Sequence, residues 1–118
     1  MFEISEPREG CYGSKTVHDI TWNGEWIGYA NVNYIQLDDV KTFRKYTKRK
    51  LSVGQPYGVQ VFIDSVKGKV SAQTLGKDGL HGLVSALKKK FSGLEERDIF
   101  ILELNMGGKT IVGRGSDF

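Results

Sequence analysis

Hydrophobic and β-branched side chains recur from Thr16 to Ile35, and Asn23-Gly24 interrupts them. Both residues of such a turn take positive φ, so the pattern predicts a hairpin of residues 16–22 and 25–35. Before it, residues 5–15 are polar and Gly-rich and read as an exposed loop. Asp38 and Asp39 then open a predicted helix. Val40, Phe43, Thr47 and Leu51 recur at helical spacing and face inward. Lys41, Arg44, Lys45, Lys48 and Arg49 gather on the other side, and an N-cap aspartate suits the positive end of the helix dipole.

Residues 58–64 alternate in the strand manner, with Val59, Val61 and Ile63 on one face. Lys67-Gly68-Lys69 is expected to turn the chain, and Val70 to Leu75 to return as the second arm of a hairpin. A second helix is predicted from about Gly79 to Phe91, capped by Asp78, with the stripe Leu80, Leu83, Val84, Leu87 and Phe91. Gly93 suits a left-handed helix end, with Leu94 folding back on Phe91. Residues 98–104 form a strand so apolar that both of its faces are expected to be covered. Asn105-Met106-Gly107-Gly108 turns and residues 109–113 pair back, while Ser116-Asp117-Phe118 is expected to be loose.

Sheet dominates this order and two short helices accompany it. The expected fold is β-rich α+β, a small open β-barrel (pseudobarrel) closed by the two helices; the alternative is a β-grasp fold. Residues 1–118 read as a single domain, with 1–15 partly flexible.

Composition adds limits. At 118 residues, 39% hydrophobic and 26% charged, the chain is ordinary for a globular domain. No apolar run approaches the ~20 residues of a membrane span, and the N-terminus lacks the pattern of a secretory signal. No membrane partner is expected. Cys11 is the only cysteine, so an internal disulfide and a thiolate zinc cage are excluded. A reducing location follows, cytoplasmic, or nuclear in a eukaryote.

Charge changes the picture most. The chain has 17 Lys+Arg against 14 Asp+Glu. Ten residues, 41–50, hold six of those cations (Lys41, Arg44, Lys45, Lys48, Arg49, Lys50) and no acid, so the remainder carries 11 against 14. Concentrated charge of one sign draws a polyanion, and Tyr46 within the run is placed to stack on a sugar or base. The competing account is a solvated helix face. Lys88-Lys89-Lys90 reads as a helix C-terminus complementing its dipole.

Two stretches carry a likeness to a known family. Gly58-Val59-Gln60-Val61-Phe62-Ile63-Asp64-Ser65-Val66-Lys67-Gly68-Lys69-Val70 is similar to the central hairpin of the B3 DNA-binding domain. Gly93-Leu94-Glu95-Glu96-Arg97-Asp98-Ile99-Phe100-Ile101-Leu102-Glu103-Leu104 resembles that family's loop into a late apolar strand, although Arg97 stands where the family usually has glycine. B3 domains are pseudobarrels of plant transcription factors, with relatives in the recognition domains of restriction enzymes. The resemblance implies two arms laid into the major groove of duplex DNA, near residues 13–28 and 73–81. Lys15, His18, Asn23, Gln73, Lys77 and His81 are the polar residues there that would reach bases or phosphates.

Signals for chemistry are weak. His18 and His81 have no metal-binding partner at helical or strand spacing, and Cys11, in a Gly-rich loop with Lys15 near, reads as an incidental thiol rather than a reactive one. Gly107-Gly108-Lys109-Thr110 lacks the upstream glycine and following helix of a phosphate loop. No cofactor or metal is expected. The chain reads as a non-catalytic nucleic-acid-binding module, for duplex DNA, bound through the basic helix and the barrel arms. One alternative is a protein-binding module using the aromatic hairpin (Trp22, Trp26, Tyr29, Tyr34) or a sheet edge. Another is a metal-dependent nuclease subunit built on Asp39, Lys41 and Asp19.

Overall fold

The computed structural model describes residues 1–9, 15–36, 52–67 and 70–118. In chain order the elements are β1 (Phe2–Ile4), β2 (Arg8–Glu9), β3 (Lys15–Trp22), β4 (Glu25–Tyr34), β5 (Pro56–Asp64), α1 (Ala72–Lys90), β6 (Ile99–Asn105) and β7 (Gly108–Arg114). Single 3-10 turns at Glu96–Asp98 and Gly115–Asp117 flank the last two strands. The predicted basic helix of residues 38–51 lies outside the described residues.

All the strands join one mixed sheet in the order β1, β3, β4, β5, β6, β7, with β2 beside β1 on the outer side of β3. The sheet therefore has six rows. Every neighbouring pair is antiparallel except β5 and β6, which run parallel across α1. The fold is α+β and β-rich, as expected. Its sheet is open, with β7 at one edge and β1 and β2 at the other, so a closed barrel is not shown.

Local chemistry explains the elements. Asn23 and Gly24 both take positive φ, 51° and 84°, and close the β3–β4 hairpin in the twist that strands favour. At Gly28 a Cβ would overlap the Phe62 carbonyl oxygen, so only glycine allows β4 and β5 to pair at this spacing. The Asp64 carboxylate accepts from the backbone N–H groups of Val66 and Lys67, both at 3.0 Å, and turns the chain out of β5.

That turn leads into helix. Residues 70–75 do not return as a strand. Ser71 Oγ accepts from Thr74 N at 3.1 Å as an N-cap, and Glu103 Oε2 accepts from Ala72 N at 3.0 Å. The helix therefore starts at Ala72, before the expected Asp78, and kinks at Gly76, whose φ of 69° an L-side chain rarely adopts. Past the kink the expected stripe holds: Leu80, Leu83, Val84, Leu87 and Phe91 are all buried. Gly93 has a φ of 91°, and Leu94 N–H reaches back to Phe91 O.

The core lies between α1 and one sheet face. Ile20, Ala30, Val32, Val59, Val61, Ile63, Ile99 and Ile101 meet the helix stripe there, and burial of such side chains drives folding at roughly 1.5–3 kcal/mol each. Residues 1–9 supply the edge strands β1 and β2, and a 3-10 turn orders the C-terminus, where Phe118 packs on the core and its carbonyl oxygen lies 3.0 Å from His81 Nδ1.

Candidate nucleic-acid interface

Alternate strand residues point away from the helix, and the register aligns them in rows. One row runs Asp19, Tyr29, Phe62, Leu102, Ile111 across β3 to β7. The next runs Val17, Asn31, Gln60, Phe100, Arg114. Among the described residues, no helix packs on this second face. The expectation that both faces of β6 are covered therefore fails: Phe100 is 40% exposed.

The face combines rings and cations. Tyr29 and Phe62 stack with centroids 5.0 Å apart. Lys109 Nζ sits 4.6 Å from the Phe62 centroid, and the Arg114 guanidinium 5.0 Å from that of Phe100. Arg8 lies 6.0 Å from the Tyr29 centroid and grips Asp19 with two hydrogen bonds, at 2.8 and 3.0 Å. Trp26 Nε1 donates to the same carboxylate at 3.0 Å. The Arg8 hydrogen bond, and then that of Trp26, hold the Asp19 carboxyl below the usual carboxylate range against the opposing effect of burial.

Charge on this face is therefore lopsided. Asp19 is neutralised by Arg8, and Asp64 is buried and committed to its turn. Among the described residues, neither the Lys109 ammonium nor the Arg114 guanidinium forms an ion pair, although the Asp117 carboxylate accepts from the Arg114 backbone N–H at 2.8 Å. Two of the three lysines at the end of α1 differ, since Lys88 pairs with Glu96 at 3.1 Å and Lys90 with Glu6 at 3.0 Å.

The residues singled out in the sequence do not converge. Lys41, Arg44, Lys45, Lys48, Arg49 and Lys50 lie outside the described residues. Lys15 falls in β3. His18 is only 2% exposed: it faces α1, its Nδ1 is 2.8 Å from Ser5 O, and its ring meets Phe91 edge-on at 4.8 Å. Its position even in β3 puts it on the core side with Ile20, so as placed it does not reach DNA. Asn23 is exposed at the hairpin tip, where its Oδ1 accepts from the N-terminal amine at 2.6 Å. Gln73, Lys77 and His81 are exposed, but on α1 rather than on a loop. The two expected arms thus correspond to a hairpin and to a helix, and the helix lies on the side opposite the ring-bearing face.

The aromatic hairpin does straddle the sheet. Trp22 and Tyr34 pack toward the core, while Trp26 and Tyr29 serve the open face. Sequence reasoning missed Arg8, Gln60, Phe100, Lys109 and Arg114. Their signal was strand parity: Gln60 is out of phase with Val59 and Val61, and Phe100 with Ile99 and Ile101.

Other features are modest. A groove of about 370 Å³ beside β1 is lined by Phe2, Ile4, Ala86, Lys89 and Lys90. Among the described residues, no three His, Cys, Asp or Glu side chains are grouped to hold a metal, and no helix is long and apolar enough to cross a membrane. Compared with protein families, with curated proteins and with solved structures, the chain matches none.

Proposed function

We propose that this chain is a non-catalytic DNA-binding module. The observation that carries the reading is the pair of cations on the open face, Lys109 over Phe62 and Arg114 over Phe100, neither neutralised by a described carboxylate. The sequence adds six cations within residues 41–50. Cations interleaved with aromatic rings suit a polyanion that also carries bases, because charge holds the phosphates while rings accept base or sugar. The B3 resemblance points to the same ligand.

Gel-shift titration of duplex and single-stranded DNA at two salt concentrations tests the reading. Replacing Lys41, Lys45 and Lys48 with Gln should weaken duplex binding and reduce the log–log salt slope by roughly 0.9 for each phosphate no longer neutralised. No shift of either DNA at about 50 mM salt ends the proposal.

A protein-binding role is the second reading, favoured by the β7 edge, where Ile111 is 79% exposed and Met106 at the hairpin tip 96%. A strand edge with unpaired N–H and C=O groups accepts an added strand. Concentration-dependent association abolished by Ile111→Lys, with no affinity for DNA, would establish it instead.

A further inference from the structure

The geometry points to single-stranded DNA as the ligand of the open sheet face, an inference that rests on the DNA-binding reading and narrows it. The row Asn31, Gln60, Phe100, Arg114 crosses four adjacent strands and spans about 14 Å at the usual strand spacing. It places an amide, an exposed amide, a ring and an exposed guanidinium in line. Lys109 and Ile111 lie alongside on β7, and Ile111 is exposed.

A duplex cannot use this arrangement well. Its bases are stacked on one another and present only edges in the grooves. A sheet face offers an unpaired base what the duplex has already satisfied: a ring for its π-face and an exposed amide for its edge. Phe100 supplies the ring. Gln60 carries both donor and acceptor atoms and is exposed, so it can pair with a base edge without fixing which base it is, while Asn31 Oδ1 already accepts from Thr16 Oγ1 at 2.8 Å and leaves its amide N–H groups to donate. Arg114 lies over the Phe100 ring, and Lys109 lies further along β7 over Phe62, so the two cations mark a line along which the phosphates of adjoining nucleotides would run. Exposed apolar side chains beside cations that no described carboxylate pairs fit poorly with an apolar protein partner, whereas a single strand covers both at once.

The test is fluorescence anisotropy on the full chain at about 50 mM salt, with four probes of about 12 nucleotides: oligothymidylate, an abasic deoxyribose-phosphate chain, a DNA duplex and oligouridylate. Oligothymidylate should bind roughly tenfold more tightly than the abasic chain, since each stacked base is worth about that factor. Phe100→Ala should erase the difference and Phe100→Tyr should preserve it. Arg114→Gln should weaken both chains and lower the salt slope, by roughly 0.7 for a single-strand phosphate. Equal affinity for the abasic chain, an unchanged preference in Phe100→Ala, or tighter duplex binding would overturn the single-strand inference while leaving DNA binding intact. Tighter binding of oligouridylate would overturn the assignment to DNA. Failure to bind any probe would remove both readings.

Discussion

Lys109 Nζ lies 4.6 Å from the centroid of the Phe62 ring, which also stacks on Tyr29. The ring is only 5% exposed, so this cation meets a largely desolvated π-face. Lys109→Gln should therefore lower stability by about 0.5–1 kcal/mol, and Lys109→Arg should retain it. Urea titrations read the difference as a shifted midpoint at constant slope. No shift in Lys109→Gln would mean that the ammonium is solvated rather than held by the ring.

Two glycines on facing strands should respond oppositely to an added methyl. At Gly28 the Cβ would overlap the backbone of β5, and Gly28→Ala should cost about 1–3 kcal/mol or more. At Gly58 the nearest atom is the Asn33 side-chain nitrogen at 3.6 Å, an ordinary van der Waals distance. Gly58→Ala should be neutral or gain about 0.4–1 kcal/mol by restricting the unfolded chain. Thermal melts of both variants check the contrast, which fails if the two behave alike.

Ser71 caps α1 through Thr74 N, and its removal should be felt although Gly76 kinks the helix five residues later. Ser71→Ala should destabilise by about 1 kcal/mol and Ser71→Thr by much less. Amide exchange at Thr74 should accelerate in the alanine variant. Unaltered protection there would show that Glu103 alone secures the first turn.

The Arg8–Asp19 pair sets an acid limb. Asp19 is held below its ordinary range in the folded state, chiefly by the Arg8 hydrogen bond. Its stabilisation is thus complete above the unfolded carboxylate value and fades as pH falls from about 4 through the depressed folded value. Asp19→Asn should flatten that part of the stability curve and leave the alkaline side unchanged. The side chains are 49% and 30% exposed, so the effect is modest and shrinks with added salt. An identical acid limb in the variant would assign the titration to other carboxylates.

Local pattern told part of this structure. Asn23-Gly24, the alternation of Val59, Val61 and Ile63, and the stripe from Leu80 to Phe91 each depend on neighbours in the chain, and each formed as read. Val70 to Leu75 misled because a short mixed run carries no decisive period; Ser71 is as good a cap as a strand residue. The parallel pairing of β5 with β6 depends on where α1 packs, which no local spacing encodes. Phe100, Leu102 and Leu104 share a strand with Ile99 and Ile101, and such an apolar run resembles one buried on both sides. The candidate face was illegible for a related reason: Arg8 and Asp19, or Phe62 and Lys109, meet only after the register is set.

Among the described residues, the strands before α1 pair with the two after it where Val59 to Asp64 meets Ile99 to Leu104, and Ser65 N–H extends the join to Leu104 O. The β3–β4 and β6–β7 hairpins close over short spans, but this parallel junction must wait for the whole intervening helix to be positioned, and such distant closure is slow. The barrier to folding should accordingly reside at this join. Pulse-labelled exchange should find the amides of β6 facing β5 among the last to be shielded, with those of the first hairpin well ahead.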